Sequence, residues 1–409
     1  MSVVSPWVHA AAARHPDRIA VEGLERSLTY AELCDAAVAG ARELWGAARA
    51  AIALPPGEDF VIALHACLVA GAAAVPIDLR LSVAEQEQRR AAVGHARGEV
   101  GADVEVAVMH TSGTTAAPKP VVLTAGNFLA SALGSAVALG LDPAERWLCP
   151  MPLTHVGGLS IPIRSAIYAT TAVLHGRFDT EAVLNELMDP DRRITLVSLV
   201  PTMLARLLDA GLERPPTLRW ALLGGGPIPP GLLSLAENAG VPVAPTYGMT
   251  EACSQIATFG WALPGVEIQT SSGEVKVRGP IVSQDAVSGD GWLHTGDLGR
   301  FDERGRLVIV GRKSDTIVSG GENVAPAEVE AVLLEHPAVA DAAVHARPDP
   351  EWGEAVVATV VLRDGLEATP DELKAHCAAR LAGFKVPKAV SFTQGLPRTQ
   401  SGKLLRRQL

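Results

Sequence analysis

Between residues 194 and 248 the run ITLVSLV stops before a Pro, WALLGGG ends in Gly and VPVAPTYG ends in a Tyr-Gly pair, and helix-like runs such as PTMLARLLDAGL separate them. Runs that are apolar at nearly every position need burial on both faces, which is the condition of a strand inside a mostly parallel sheet covered by helices. The same rhythm appears earlier. AAIAL and AAAVPI read as short buried strands on either side of a helix over EDFVIALHACLVAG, and SLTYAELCDAAVAGARELW opens with a Thr29…Glu32 capping box. From about Gly273 the texture becomes short alternating strands with tight turns. After Gly311 it changes again, to helices and strands of a compact α+β unit in which Thr369, Pro370 and Glu372 mark a helix start. The expected fold is α/β. A large N-terminal domain of layered α/β subdomains plus a small β-rich subdomain spans 1–311, and a small mobile α+β C-terminal domain spans 312–409.

Composition narrows the partners. The 409 residues carry 35 Lys+Arg against 45 Asp+Glu, a net charge of −10, which argues against nucleic acid but leaves room for a local anion site. The longest apolar stretch, Phe60 to Ile77, is interrupted by His65, Gly71 and Pro76, so no integral membrane segment is expected. Five widely spaced cysteines (Cys34, Cys67, Cys149, Cys253, Cys377) form no C-x-x-C pair, and the N-terminus has no signal-peptide pattern. A cytoplasmic protein with reduced thiols is expected, and a homodimer is left open.

The stretch MHTSGTTAAPKPVVLT, residues 109–124, is a hydroxyl-rich loop closing on one lysine. Backbone N–H groups, hydroxyls and a lysine can surround a phosphate, although the spacing is not G-x-x-x-x-G-K-[ST]. Taken alone, the loop is either that or a polar surface turn. Four other segments stand out. TYGMTEACSQ holds Tyr247, Thr250 and Glu251 just after a strand, and HTGDLG puts Asp297 in a turn between strands. GRKSDTIVSGGENVAP carries Arg312 and a Gly-rich hairpin, and PRTQSGKLLRRQL ends the chain with Lys403 in a Ser-Gly-Lys turn. Each has an ordinary reading: a core tyrosine, a turn-capping aspartate, a solvated arginine, a free terminal lysine.

Their joint order resembles the adenylate-forming superfamily of acyl-CoA synthetases, adenylation domains and luciferases, over nearly the whole chain. The resemblance implies an AMP-forming acyl-CoA synthetase that uses ATP, Mg²⁺ and CoA and acts on a small-molecule carboxylic acid. It implies that Thr111, Ser112, Gly113, Thr114, Thr115 and Lys119 hold the β- and γ-phosphates. Gly224, Gly225 and Gly226 would lie against adenine and the acyl group, with Tyr247 flanking adenine. Thr250 would meet the α-phosphate, Glu251 would bind Mg²⁺, and Asp297 would take the ribose hydroxyls with Arg312 assisting. Lys403 would reach between the carboxylate and the α-phosphate. The small domain would then rotate about Ser314, and Gly320, Gly321 and Glu322 would line the CoA channel. Two departures stand against the pattern. Ala116 and Pro120 occupy positions where the family usually has Gly. The segment before the phosphate loop is also compressed, so part of a subdomain is expected to be trimmed.

The stretches PMPLTHVGGLSIPIRSAIYATTAVLH and YGMTEACSQIAT are most similar to a subgroup whose acid is a keto-dicarboxylate on a benzene ring. That likeness implies an apolar pocket with a polar or cationic group for the carboxylate that does not react. His155, also grouped with the catalytic residues, and Arg164 are the candidates at the pocket mouth, with Ser254, Gln255 and Thr258 on the far wall. The ordinary reading of Arg164 is a salt bridge on a helix surface. Two alternatives remain: a CoA ligase for another aromatic or medium-chain acid, and a non-catalytic homologue that binds a nucleotide or acyl ligand.

Overall fold

The computed structural model describes residues 6–91, 104–110, 119–270, 273–398 and 404–409. Its largest sheet has nine strands. In spatial order they are Trp261–Ala262, Ala257–Thr258, Val243–Tyr247, Trp220–Leu223, Leu196–Leu199, Arg146–Cys149, Thr171–Leu174, Ile19–Glu22 and Ser27–Thr29. From Val243–Tyr247 to Ile19–Glu22 all pairings are parallel. Leu196–Leu199 and Thr171–Leu174 are buried at every position, which is why they read as unbroken apolar runs. Chain order reverses between Leu196–Leu199 and Arg146–Cys149. In open sheets of this kind, ligands bind off the carboxyl ends of the strands at such a reversal.

A second sheet joins Arg49–Ile52, Ala73–Pro76 and Glu105–His110 in parallel, and Pro120–Thr124 returns antiparallel to Glu105–His110. Residues 111–118, with Thr111, Ser112, Gly113, Thr114, Thr115 and Ala116, lie outside the described residues. Pro120 opens its strand opposite His110, at the end of the ladder, a position where a strand tolerates the missing N–H. A third, antiparallel sheet contains Glu267–Gln269, Glu274–Arg278, Leu293–Phe301 and Leu307–Arg312. The turn expected at Asp297 is corrected here. Asp297 lies inside the nine-residue strand Leu293–Phe301, whose register shifts between Leu298 and Gly299. That strand absorbs the glycines by bulging and does not break at them.

The last sheet combines Ile317–Ser319, Glu322–Val324, Val339–Asp349 and Gly353–Leu362, with Ala389–Phe392 parallel to Gly353–Leu362. With the helices Pro326–Leu334 and Pro370–Ala378 it encloses its own core, including Ile317, Val329, Leu333, Val344, Val356 and Leu373. Arg312 ends a strand of the preceding sheet, so the division expected after residue 311 falls one residue inside that strand. The Thr29–Glu32 and Thr369–Glu372 capping boxes both form, as does one between Thr124 and Asn127.

The helix Glu58–Ala70 buries His65, which is 1% exposed, and neither ring nitrogen has a partner among the described residues. Burial pushes its pKa down to about 4, so the folded chain holds a neutral imidazole. Between that value and the ordinary one near 6.5, the unfolded chain binds the extra proton, and folding weakens as pH falls through this window. Between pH 7 and pH 5 the loss of urea-unfolding free energy should be about 2 kcal/mol greater in wild type than in His65→Leu. Equal losses would show that His65 takes up its proton as readily in the folded chain as in the unfolded one.

Candidate active site

Several of the expected residues meet at the carboxyl ends of the large sheet. His155 follows Arg146–Cys149 and stands at the N-terminus of the helix Val156–Tyr168. Gly224, Gly225 and Gly226 follow Trp220–Leu223. Tyr247 ends its strand, and Thr250 and Glu251 open the single 3₁₀ turn Thr250–Ala252. This edge lies beside the order reversal, the place where open sheets of this kind bind ligands. The His155 imidazole is pushed down by burial first and by the Arg80 guanidinium next, which favours its neutral form. Arg80 is held by Asp78 through Nε at 2.7 Å and Nη2 at 2.6 Å, and this pair keeps the Asp78 carboxyl low. The pair escaped the sequence reading because an Asp-Leu-Arg spacing has no signature of its own.

Tyr247, Asp297 and Arg312 form one cluster. The Tyr247 hydroxyl donates to Asp297 Oδ2 at 2.7 Å, and Arg312 Nε lies 2.6 Å from Oδ1. Strand register makes this contact, since Asp297 and Arg312 are directly paired across the ladder. Thr295 Oγ1 accepts from the Asp297 backbone N–H at 3.0 Å and so fixes the bulged strand. Burial and the adjacent carboxylate push the Tyr247 phenol upward, which keeps its proton on as a donor. The cluster offers an aromatic ring beside a carboxylate of 5% exposure, a suitable surface for a base and its sugar. A carboxylate accepts about four hydrogen bonds, so ribose hydroxyls and these two donors fit together on Asp297.

Arg164 is not at a helix surface, as its ordinary reading has it, and two of the three far-wall residues are buried. The helix Val156–Tyr168 is buried from Gly158 to Ala166, so Arg164 is held inside the protein and away from the surface. It is 2% exposed, its guanidinium lies 5.7 Å from the Trp147 ring centroid, and Nη2 donates to Ser131 Oγ at 2.9 Å. Among the described residues no carboxylate pairs with it, and its buried Nε has no partner. Gln255 and Thr258 also turn inward, joined by a bond of 3.0 Å from Gln255 Nε2 to Thr258 Oγ1. Ser254 alone of that group stays half-buried.

In the C-terminal unit, Gly320 and Gly321 form the tip of the hairpin between Ile317–Ser319 and Glu322–Val324. Their φ values of +60° and +85° are ones that L side chains rarely adopt. Glu322 is exposed at the same tip. Ser314 sits in the 3₁₀ turn Lys313–Asp315, and Lys313 Nζ reaches back 3.2 Å to Glu274 of the preceding sheet. Lys403 lies outside the described residues. On either side of it, Arg398 forms a bridge with Leu404 and contacts Asp341 at 2.8 Å, while Arg406 grips Glu330 at 2.7 and 3.0 Å. Among the described residues no group of three or more His, Cys, Asp or Glu is arranged to hold a metal ion. Glu251 therefore stands as one carboxylate, a donor set that suits Mg²⁺ when substrate phosphates supply further ligands.

The AMP-binding enzyme family model matches residues 8–95 and 85–280, and the AMP-binding enzyme C-terminal domain model matches 328–403. The 2-succinylbenzoate–CoA ligase of Bacillus licheniformis is 38% identical, covering 98% of this chain and 98% of that protein. The ligase of Bacillus subtilis strain 168 is 37% identical over 98% of this chain and 97% of its own. Among solved structures, the o-succinylbenzoate CoA synthetase of Bacillus subtilis with its acyl-adenylate OSB-AMP matches with TM-score 0.88 and 36% identity, over 99% of this chain and 98% of that one. The same enzyme with ATP and magnesium ion matches with TM-score 0.87 at 36% identity, over 99% of each chain. The 475 aligned positions exceed the 409 residues here, and the first family match splits at residues 85–95. This chain is thus shortened just before the phosphate loop.

Proposed function

The chain belongs to the AMP-binding enzyme family, and from that membership we propose that it joins 2-succinylbenzoate to CoA at the expense of ATP. It is an AMP-forming acid–thiol ligase of the kind that serves menaquinone biosynthesis. In the first half-reaction a carboxylate oxygen attacks the α-phosphorus, the bond to the bridging oxygen breaks and pyrophosphate leaves. In the second, the CoA thiol gives up its proton, its sulfur attacks the acyl carbon and AMP leaves. Both reactants of the first step are anions, so the protein's task is positioning and charge neutralisation. Tyr247, Asp297 and Arg312 orient the nucleoside, Thr250 meets the α-phosphate, and Lys119 and the loop at 111–115 hold the outer phosphates. Glu251 would hold Mg²⁺, whose charge neutralises phosphate oxygens. Lys403 serves this step from the C-terminal unit. The small domain, with a core of its own, then turns about Ser314 and brings the Gly320–Gly321–Glu322 hairpin to the thiol channel.

The observation that carries the choice of a dicarboxylic acid is the buried, carboxylate-free Arg164 guanidinium. A buried charge is costly unless paired, and the non-reacting carboxylate of 2-succinylbenzoate would supply the partner. His155 and Ser254 complete the pocket from the loop and turn beside it. Losing one charged hydrogen bond costs roughly 1.5–3 kcal/mol. Arg164→Met should therefore lower kcat/KM for 2-succinylbenzoate about tenfold to a hundredfold, while benzoate use stays nearly unchanged. Equal damage to both acids would make Arg164 a packing residue only.

A further inference from the structure

The turn that carries Thr250 and Glu251 is strained. Cys253 and Ser254, which follow it directly, both adopt positive φ, +48° and +90°, although neither is Gly. Two successive residues of this kind persist only where their surroundings impose them. Within the segment, Cys253 N–H bonds Thr250 O at 3.1 Å and Ser254 N–H bonds Met249 O at 3.1 Å. Gly248 is obligatory beneath it, because a Cβ there would lie 1.6 Å from Ser254 O. These local bonds shape the turn but do not fix it to the rest of the protein.

That anchorage comes from one face of the helix Ala125–Leu139, which begins just after the phosphate-loop hairpin. Ser131, 1% exposed, donates its hydroxyl to Cys253 O at 2.7 Å and accepts from Arg164 Nη2 at 2.9 Å. One helical turn earlier, Asn127 Nδ2 donates to Pro280 O at 2.8 Å and Val282 O at 3.1 Å. The next residue, Ser283, donates its N–H to Glu251 O at 2.8 Å. Asn127 and Ser131, four residues apart on one face, thus reach the turn from both sides, Asn127 through the Pro280–Ser283 segment and Ser131 directly. We propose that Ser131 is a positioning residue for adenylation: its hydroxyl ties the strained Thr250–Ser254 turn to Arg164 and to the helix that follows the phosphate loop. The proposal rests on the reading of Thr250 and Glu251 as adenylation residues. It deepens that reading by linking the cation proposed for the acid to the turn proposed for phosphate and metal.

The test separates the two half-reactions. Wild type is first assayed for acid-dependent pyrophosphate release and, with supplied acyl-adenylate, for thioester formation. Ser131→Ala and the milder Ser131→Cys are then compared. Both should lower adenylation, by about tenfold to a hundredfold for alanine and less for cysteine, and raise the Mg²⁺ concentration needed for half-maximal rate. Thioester formation from the adenylate should stay within about twofold of wild type. If both half-reactions fall together, or adenylation does not change, Ser131 is a packing residue and the proposal is overturned. If alanine prevents folding, the cysteine variant decides by the same split. A wild type that releases no pyrophosphate with any acid overturns the functional reading itself, and the role of Ser131 with it.

Discussion

Lys403→Ala is expected to lose acid-dependent pyrophosphate release by three orders of magnitude or more, on the order of 4 kcal/mol of transition-state stabilisation. The same variant should convert supplied acyl-adenylate and CoA to thioester at close to the wild-type rate. The asymmetry follows from the place of Lys403 in the chain, between Arg398 and Leu404, which bridge one another in the small domain. Paired bonds from Arg398 to Asp341 and from Arg406 to Glu330 tie the residues on both sides of Lys403 to the body of the domain. In the proposed cycle the domain turns about Ser314, and the lysine would leave the α-phosphate together with it. A single-turnover assay of each half-reaction reads the split, and equal loss in both would contradict a two-position domain.

Asp297→Ala should be nearly as damaging, but through the nucleotide. The substitution removes the acceptor shared by Tyr247 and Arg312, two contacts of 2.7 and 2.6 Å. It also removes the acceptor assigned to the ribose. Charged hydrogen bonds are worth roughly 1.5–3 kcal/mol each, so losing two of them should cut kcat/KM for ATP by about a hundredfold or more. A generic loss of packing would also slow the enzyme, so the informative comparison uses 2′-deoxy-ATP. Wild type should discriminate against it, whereas Asp297→Ala should treat the two nucleotides alike. A variant that still prefers ATP by the wild-type factor would take Asp297 off the ribose.

The sequence reading reached the parts of this molecule that depend on local chemistry. Strands buried on both faces, such as Leu196–Leu199, look the same in sequence as in space. Thr-x-x-Glu boxes cap the helices where they occur, at Thr29 and Thr369. The reading failed where tertiary contacts decide. Nothing in IPIRSAIY reveals that Arg164 is enclosed on every side, because the helix is buried from several directions at once. Ser131 lies in an unremarkable run of Ala, Leu and Ser, and its importance appears only once Cys253 is folded against it. The Thr124–Asn127 box has no sequence signature, because Asn replaces the usual Glu or Gln. In sequence Asp297 looks like a turn residue, because Gly296 and Gly299 stand close on either side of it, yet the strand carries both glycines and takes a bulge.

The central claim is that one chain activates an aromatic dicarboxylic acid with ATP and passes it to CoA. The most direct test is pyrophosphate release with 2-succinylbenzoate, benzoate and octanoate, each with and without CoA, with products identified by mass. The expected result is strong release with 2-succinylbenzoate, AMP and the CoA thioester forming only when CoA is present, and little activity with the two monocarboxylates. Release that is equal across the three acids, or greatest with benzoate or octanoate, would contradict the acid assignment. No release with any acid would contradict the ligase itself.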